Sequence, residues 1–158
     1  MVYKIIDQNF SFADIAVQKY ADKNHFLLFL REVKNTIEWD DIEEFLIKSY
    51  EIGKAKKGTR AYSPLLLFKC LLLKKWFQIK SDFALEHQIN DRISFKIFLD
   101  LPMDCPSPAQ STFVRFRKRI STQVIDKVEK KLVLQFQKHG FSINKGFMRE
   151  ARIAKPKS

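Results

Sequence analysis

The sequence predicts a mainly α-helical protein, a bundle of amphipathic helices around one apolar core. Three observations carry this reading. Apolar residues recur at helical spacing along most of the chain. Only 4 glycines and 5 prolines interrupt 158 residues, so long ordered elements outnumber turns. The 46% apolar content includes 15 phenylalanines, enough for a real core and inconsistent with disorder. A chain of this length forms about one domain.

The elements follow in order. "NHFLLFLREVKNTI" (24–37) has Asn24 as a candidate cap and apolar residues at 26, 27, 30, 33 and 37, which is helical spacing. "DDIEEFLIKSYEIG" starts with Asp40 or Asp41 as cap, aligns Ile42, Phe45, Leu46 and Tyr50 on one face, and stops at Gly53. Its carboxylates Asp40, Asp41, Glu43 and Glu44 could be read as metal ligands. At a helix start they more simply complement the dipole and satisfy open N–H groups. Residues 53–62, "GKAKKGTRAY", form an exposed basic linker. In "SPLLLFKCLLLKKWFQI", Ser63 caps, Pro64 takes the first helical position, and leucines cover nearly every face. This is the central buried helix. Ser81 caps a short helix, "DFALEHQIND", and 92–101 form another with Ser94 near its start. Pro102, Pro106 and Pro108 make "PMDCPSP" a loop.

The next stretch, "CPSPAQSTFVRFRKRI" (105–120), opens a helix with two edges. Phe113, Phe116 and Ile120 form an apolar stripe; Ser111, Arg115 and Lys118 lie opposite, with Thr112 and Arg119 flanking. Arg117 projects near the stripe, where a carboxylate of the same fold is its expected partner. A further helix runs from Ser121 to a left-handed stop at Gly140. Beyond it "FSIN" and "FMREARIA" alternate weakly and read as a short β remnant at the C-terminus.

Charge divides the chain. Residues 1–53 carry 6 Lys/Arg against 10 Asp/Glu, 54–101 carry 10 against 4, and 102–158 carry 13 against 4, within a net +11. A basic rear points to a polyanion, nucleic acid being the usual one, or to a generally basic protein. Cys70 and Cys105 lack metal or CxxC spacing, which fits a reducing cytoplasm. The first residues do not resemble a signal peptide, and "PLLLFKCLLLKKWF" is too short and lysine-broken to span a bilayer. His25, His87 and His139 are scattered, and no GxSxG, P-loop or dinucleotide motif occurs, so neither a metal site nor a cofactor is expected.

Helices 81–91 and 92–101, followed through a turn by a basic helix, form a helix-turn-helix-like unit. In that reading double-stranded DNA meets Gln110, Ser111 and Thr112 at the helix start, with open N–H groups for phosphate. Arg115 reaches base edges or phosphates, and Lys118 and Arg119 reach the backbone. Many helical bundles also end in a basic amphipathic helix.

Three words in order carry a family likeness: "TIEWDDIEEFLIKSY", "YSPLLLFKCLLLKKWFQIKSDFALEHQINDRISFKIFLDL" and "CPSPAQSTFVRFRKRI". Together they resemble the N-terminal, InsH-type region of insertion-sequence 5 family transposases, over about residues 36 to 156. The resemblance implies three parts: an acidic helical segment at 1–53, a helical DNA-binding region at 54–140, and the start of a ribonuclease-H-like catalytic domain at 141–158. It also implies binding to the element's inverted-repeat ends and a bacterial nucleoid-associated location. The family's catalytic domain uses two Asp and one Glu to hold magnesium for strand cleavage and transfer. Here Glu150, in "GFMREARIAKP", stands where the first catalytic Asp is expected, and Arg152 where Thr is usual. The sequence as given lacks the later acidic residues, so no catalytic site or magnesium site is expected to be complete in it.

Three functions follow from the resemblance: a binding module without catalysis, half of a split or frameshifted transposase, or a protein kept for dimerisation. The partners are DNA, a second copy, or a full-length transposase. With Phe116 in the core, Phe116→Ala lowers stability by about 3–5 kcal/mol in urea unfolding; a neutral change would put the helical wheel out of register.

Overall fold

Side-chain caps and apolar spacing set the helix starts. The computed structural model describes residues 3–7, 11–20, 23, 25–50 and 60–140. The described residues hold eight helices: α1 (Phe12–Tyr20), α2 (His25–Thr36), α3 (Trp39–Ser49), α4 (Pro64–Trp76), α5 (Asp82–Asp91), α6 (Ile93–Phe98), α7 (Gln110–Arg119) and α8 (Thr122–Lys138). There is no strand among the described residues, and the fold is mainly helical as expected. Asn24, Gly53 and the β remnant after 140 fall outside the described residues.

Ser63, Ser81 and Ser121 cap α4, α5 and α8 by accepting from backbone N–H groups of the first turn. Pro64 opens α4, where its missing N–H costs nothing. Gly140 has a φ of 75°, the left-handed stop anticipated after α8.

One helix goes beyond the elements given a range, and one expected cap needs correction. Within the 1–53 segment expected to be helical, α1 precedes the first of those elements. Ser11 and Asp14 form a capping box: the Ser11 N–H donates to Asp14 Oδ2 at 2.8 Å, and the Asp14 N–H donates to Ser11 Oγ at 3.3 Å. The Ser11 hydroxyl also donates to Asp14 Oδ2 at 2.5 Å, and this bond is the main reason the Asp14 carboxyl lies below its ordinary range, with the backbone N–H groups of Ser11 and Met103 adding to it. Asp40 and Asp41 are not caps; they sit inside the first turn of α3, where the dipole argument still applies. The helix starts earlier because Trp39 is anchored. Its Nε1–H donates to Lys34 O at 2.9 Å, and its ring meets Phe98 edge-on at 5.8 Å. The cap position is Glu38, whose backbone N–H donates to Gln135 Oε1 of α8 at 2.7 Å.

Around α4 pack α3 and α7, while α8 lies on α3, α6 on α2, and α5 joins α6 to α7. Phe68, Phe95, Phe98, Phe113 and Phe116 are fully buried, and Trp76 bridges Phe98 and Phe136 at 5.9 and 5.8 Å. The stripe Phe113–Phe116–Ile120 thus faces the core as the wheel requires. Residues 99–109 separate α6 from α7, longer than the three or four residues of a helix-turn-helix turn.

Two lysines are buried among these helices. Lys69 of α4 is 5% exposed, with its Nζ 4.4 Å from the Trp39 ring centroid, 5.4 Å from that of Phe98 and 3.9 Å from Asp100 Oδ2. Ring faces offer a partial substitute for water around the ammonium. Asp100 also pairs with Lys34 of α2, and its φ of 55° is the left-handed turn that ends α6. Burial nevertheless holds the Lys69 amine down at about 8, with Asp100 acting in the opposite direction. Cys70 beside it is fully enclosed, and burial pushes its thiol up, which leaves it an inert core residue.

The Lys69 amine loses its proton more easily in the folded chain than in the unfolded one. Between about 8 and the ordinary lysine value of 10.5, the unfolded state therefore binds more protons, and this group's contribution to stability rises with pH. In urea unfolding across that range, Lys69→Met should lose a rise on the order of 3 kcal/mol that the parent shows. Parallel pH profiles for the two proteins would place the lysine in water.

Candidate nucleic-acid interface

The basic helix α7 is positioned by bonds made before, beside and beneath it. The lead-in is organised by Lys96 of α6, which is 3% exposed. Its ammonium donates to the carbonyls of Met103, at 3.3 Å, and of Cys105, with Pro102 O at 3.5 Å. A charged donor buried inside a curl of backbone carbonyls satisfies the loop and itself together. Asp14 of α1 adds a further tie by accepting the Met103 N–H at 3.3 Å.

Beside α7 lies α5, whose Asp82, Glu86 and Asn90 recur one turn apart and so share one face. Asn90 Oδ1 accepts the Ser107 N–H at 2.8 Å, and Glu86 Oε2 accepts the Gln110 N–H at 2.7 Å. Asp82 receives both arms of the Arg117 guanidinium, Nη1 at 2.9 Å and Nη2 on the other oxygen, and also Lys74 Nζ of α4 at 2.9 Å. Later positions on α5 thus meet earlier positions on α7, an antiparallel grip. The bond to Arg117 is the main reason the Asp82 carboxyl lies below its ordinary range, with Lys74 adding to it.

Beneath α7, Phe113 and Phe116 are fully buried, and Phe116 meets the Tyr50 ring edge-on at 5.2 Å. Burial pushes the Tyr50 phenol up, while the charges of Arg119 and Arg115 pull it back.

The predicted site residues can now be placed. Gln110, Ser111, Arg115, Lys118 and Arg119 are exposed, and Thr112 is half-buried. Gln110 does not offer the open N–H anticipated for phosphate, because Glu86 takes it and adds a negative charge at the helix start. The Thr112 N–H donates back to Ala109 O at 2.8 Å. Among the described residues Arg115, Lys118 and Arg119 make no ion pair, whereas Arg117 is bound to Asp82, the kind of partner its position on the wheel implies. Glu150 lies outside the described residues, and among the described ones no three His, Cys, Asp or Glu side chains gather as a metal cluster.

Comparison with known families now decides the kinship: the family model described as Transposase domain (DUF772) matches residues 15–119, from within α1 to the last residue of α7. The chain belongs to this transposase domain family. The match ends with the basic helix, and its described residues include the helices that hold α7 in place. No solved structure matches the chain. No helix among the described residues is long and apolar enough to cross a membrane.

Sequence reading missed the residues that hold this transposase domain's basic helix. Lys96 looked like one more basic residue, with nothing local to signal burial. Asp82, Glu86 and Asn90 did carry a signal, acceptors spaced i, i+4, i+8 beside buried Leu85 and Ile89.

Replacing Asp82 by Ala strands two cations and should cost about 1.5–3 kcal/mol in thermal or urea unfolding. The contribution is a depressed carboxylate's: present at neutral pH and lost as pH falls below the ordinary aspartate value of 3.8. The gap between the parent and Asp82→Asn should therefore close in acid. A gap that persists at low pH would assign the effect to shape instead of charge.

Proposed function

We propose that the chain is the DNA-binding N-terminal region of an insertion-sequence 5 family transposase, docking the outer edge of α7 onto the inverted-repeat ends of its element. One observation carries the reading. Of four basic residues on α7, only Arg117 is bound to an acidic partner among the described residues, while Arg115, Lys118 and Arg119 are exposed. A rigid, core-anchored helix with cations along one edge binds a phosphate backbone at little ordering cost, because its side chains already share one surface.

Glu86 refines the contact. With a carboxylate at the start of α7, phosphates are drawn to the guanidinium and ammonium groups further along the helix and not to the Gln110 N–H. Ser111 remains at the exposed edge as a hydroxyl contact, and Gln110 offers its side-chain amide. The grip of α5 on α7 supplies the fixed angle that a helix-turn-helix-like unit obtains from its short turn. Strand cleavage belongs, in this reading, to the ribonuclease-H-like region that the resemblance begins after residue 140, where Glu150 stands at the first catalytic position.

Fluorescence anisotropy with inverted-repeat and scrambled duplexes over a range of salt concentrations tests this. The inverted-repeat duplex should bind more tightly. The double variant Arg115→Ala/Lys118→Ala should lower the slope of log K against log salt by about two. An unchanged slope would remove α7 from the interface.

A further inference from the structure

Phe83 of α5 is 59% exposed, so most of its ring is open to contact from outside the fold. It is nonetheless held in a defined arrangement. Its ring lies against that of His87, one turn later, with centroids 4.3 Å apart and planes tilted by 60°. Leu85 and Ile89 occupy the buried side of the helix, so Phe83 cannot turn into the core. In helical register, 83 and 87 sit immediately next to 82, 86 and 90, the residues that grip α7 and its lead-in. The aromatic pair therefore lies along the side of α5 next to the one that holds α7.

We propose that Phe83 and His87 form a stacking platform for an unpaired nucleobase, set beside the cationic edge that takes the phosphates. This rests on the DNA-binding reading of α7 and extends it to a second kind of contact. The two helices differ in what they can accept. The outer edge of α7 carries Arg115, Lys118 and Arg119, which attract phosphate, whereas α5 carries Asp82, Glu86 and Asp91, which repel it. A strand that follows α7 thus turns its backbone toward that helix and its bases toward α5. Inside a duplex the faces of the bases are covered by their neighbours, so an exposed ring can stack only on a base that has lost its partner, at a strand end or an opened step.

Polar groups at the platform suit the edge of such a base. A shallow depression of about 390 Å³ is lined by His87, Gln88, Asn90 and Asp91. Asn90 uses its Oδ1 on the Ser107 N–H, which leaves its amide NH2 as a donor, and Asp91 is an acceptor. The depression suits one flat ring and bears no cation of its own.

The test compares a blunt duplex with the same duplex carrying a short single-stranded tail that contains 2-aminopurine, whose fluorescence falls on stacking. The parent should bind the tailed form about tenfold more tightly and quench the probe, in keeping with the usual effect of removing one stacking aromatic. Phe83→Ala should abolish both the preference and the quenching, with the thermal melt and the affinity for blunt duplex unchanged. Phe83→Trp should keep both. Arg115→Ala/Lys118→Ala should weaken both DNAs together and leave their ratio intact. Equal binding of tailed and blunt DNA by the parent, or a preference that survives Phe83→Ala, would overturn the platform while α7 keeps its role. Absence of binding to either DNA would overturn both readings.

Discussion

A carboxylate between two cations is the constraint on which the arrangement of the helices depends. Asp82 joins Lys74 of α4 to Arg117 of α7 from its own place at the start of α5, so one side chain ties three helices. At that position it also complements the α5 dipole. With Glu86 and Asn90 on the same face, α5 becomes a ruler laid along α7. The apolar stripe of α7 holds that helix to the core, but a stripe alone leaves rotation and sliding soft. The three polar bonds fix both, and with them the direction in which Arg115 and Lys118 point.

Elsewhere the fold handles charge by enclosing it. Lys69 exchanges water for two aromatic faces and a distant carboxylate, at the cost of a proton held less firmly. Lys96 exchanges water for main-chain carbonyls. The first solution is electrostatically incomplete, and the second is satisfied by hydrogen bonds. The surplus of basic residues from residue 54 onward is therefore not all surface: Lys69 and Lys96 build the interior and Arg117 braces α7, while Arg115, Lys118 and Arg119 stay exposed along its outer edge.

Much of this fold could be read from the chain because the relevant forces are local. Serine caps at 63, 81 and 121, the proline at 64 and the glycine at 140 act within one turn of themselves, and each element they bound is present. The wheel of α7 was legible for the same reason, including the inward lean of Arg117. What escaped depends on distant partners. Trp39 enters α3 because Phe98 and Lys34 hold it, so the start of that helix could not be placed from Asp40 and Asp41 alone. Helix α1 had a local sign, the Ser11 and Asp14 box, that went unused. At the candidate interface, exposed residues were legible by elimination, whereas Glu86 at the α7 start was not, because nothing near residue 110 announces a side chain from residue 86.

The way Lys96 holds the segment before α7 has an evolutionary consequence. It grips carbonyl oxygens, which every amino acid provides, and ignores the side chains of Pro102, Met103 and Cys105. Relatives are free to spell this stretch differently as long as they keep its length and the amine at its centre. One inserted or deleted residue would carry the oxygens out of register, so a segment that looks like variable connector tolerates rewording but not resizing.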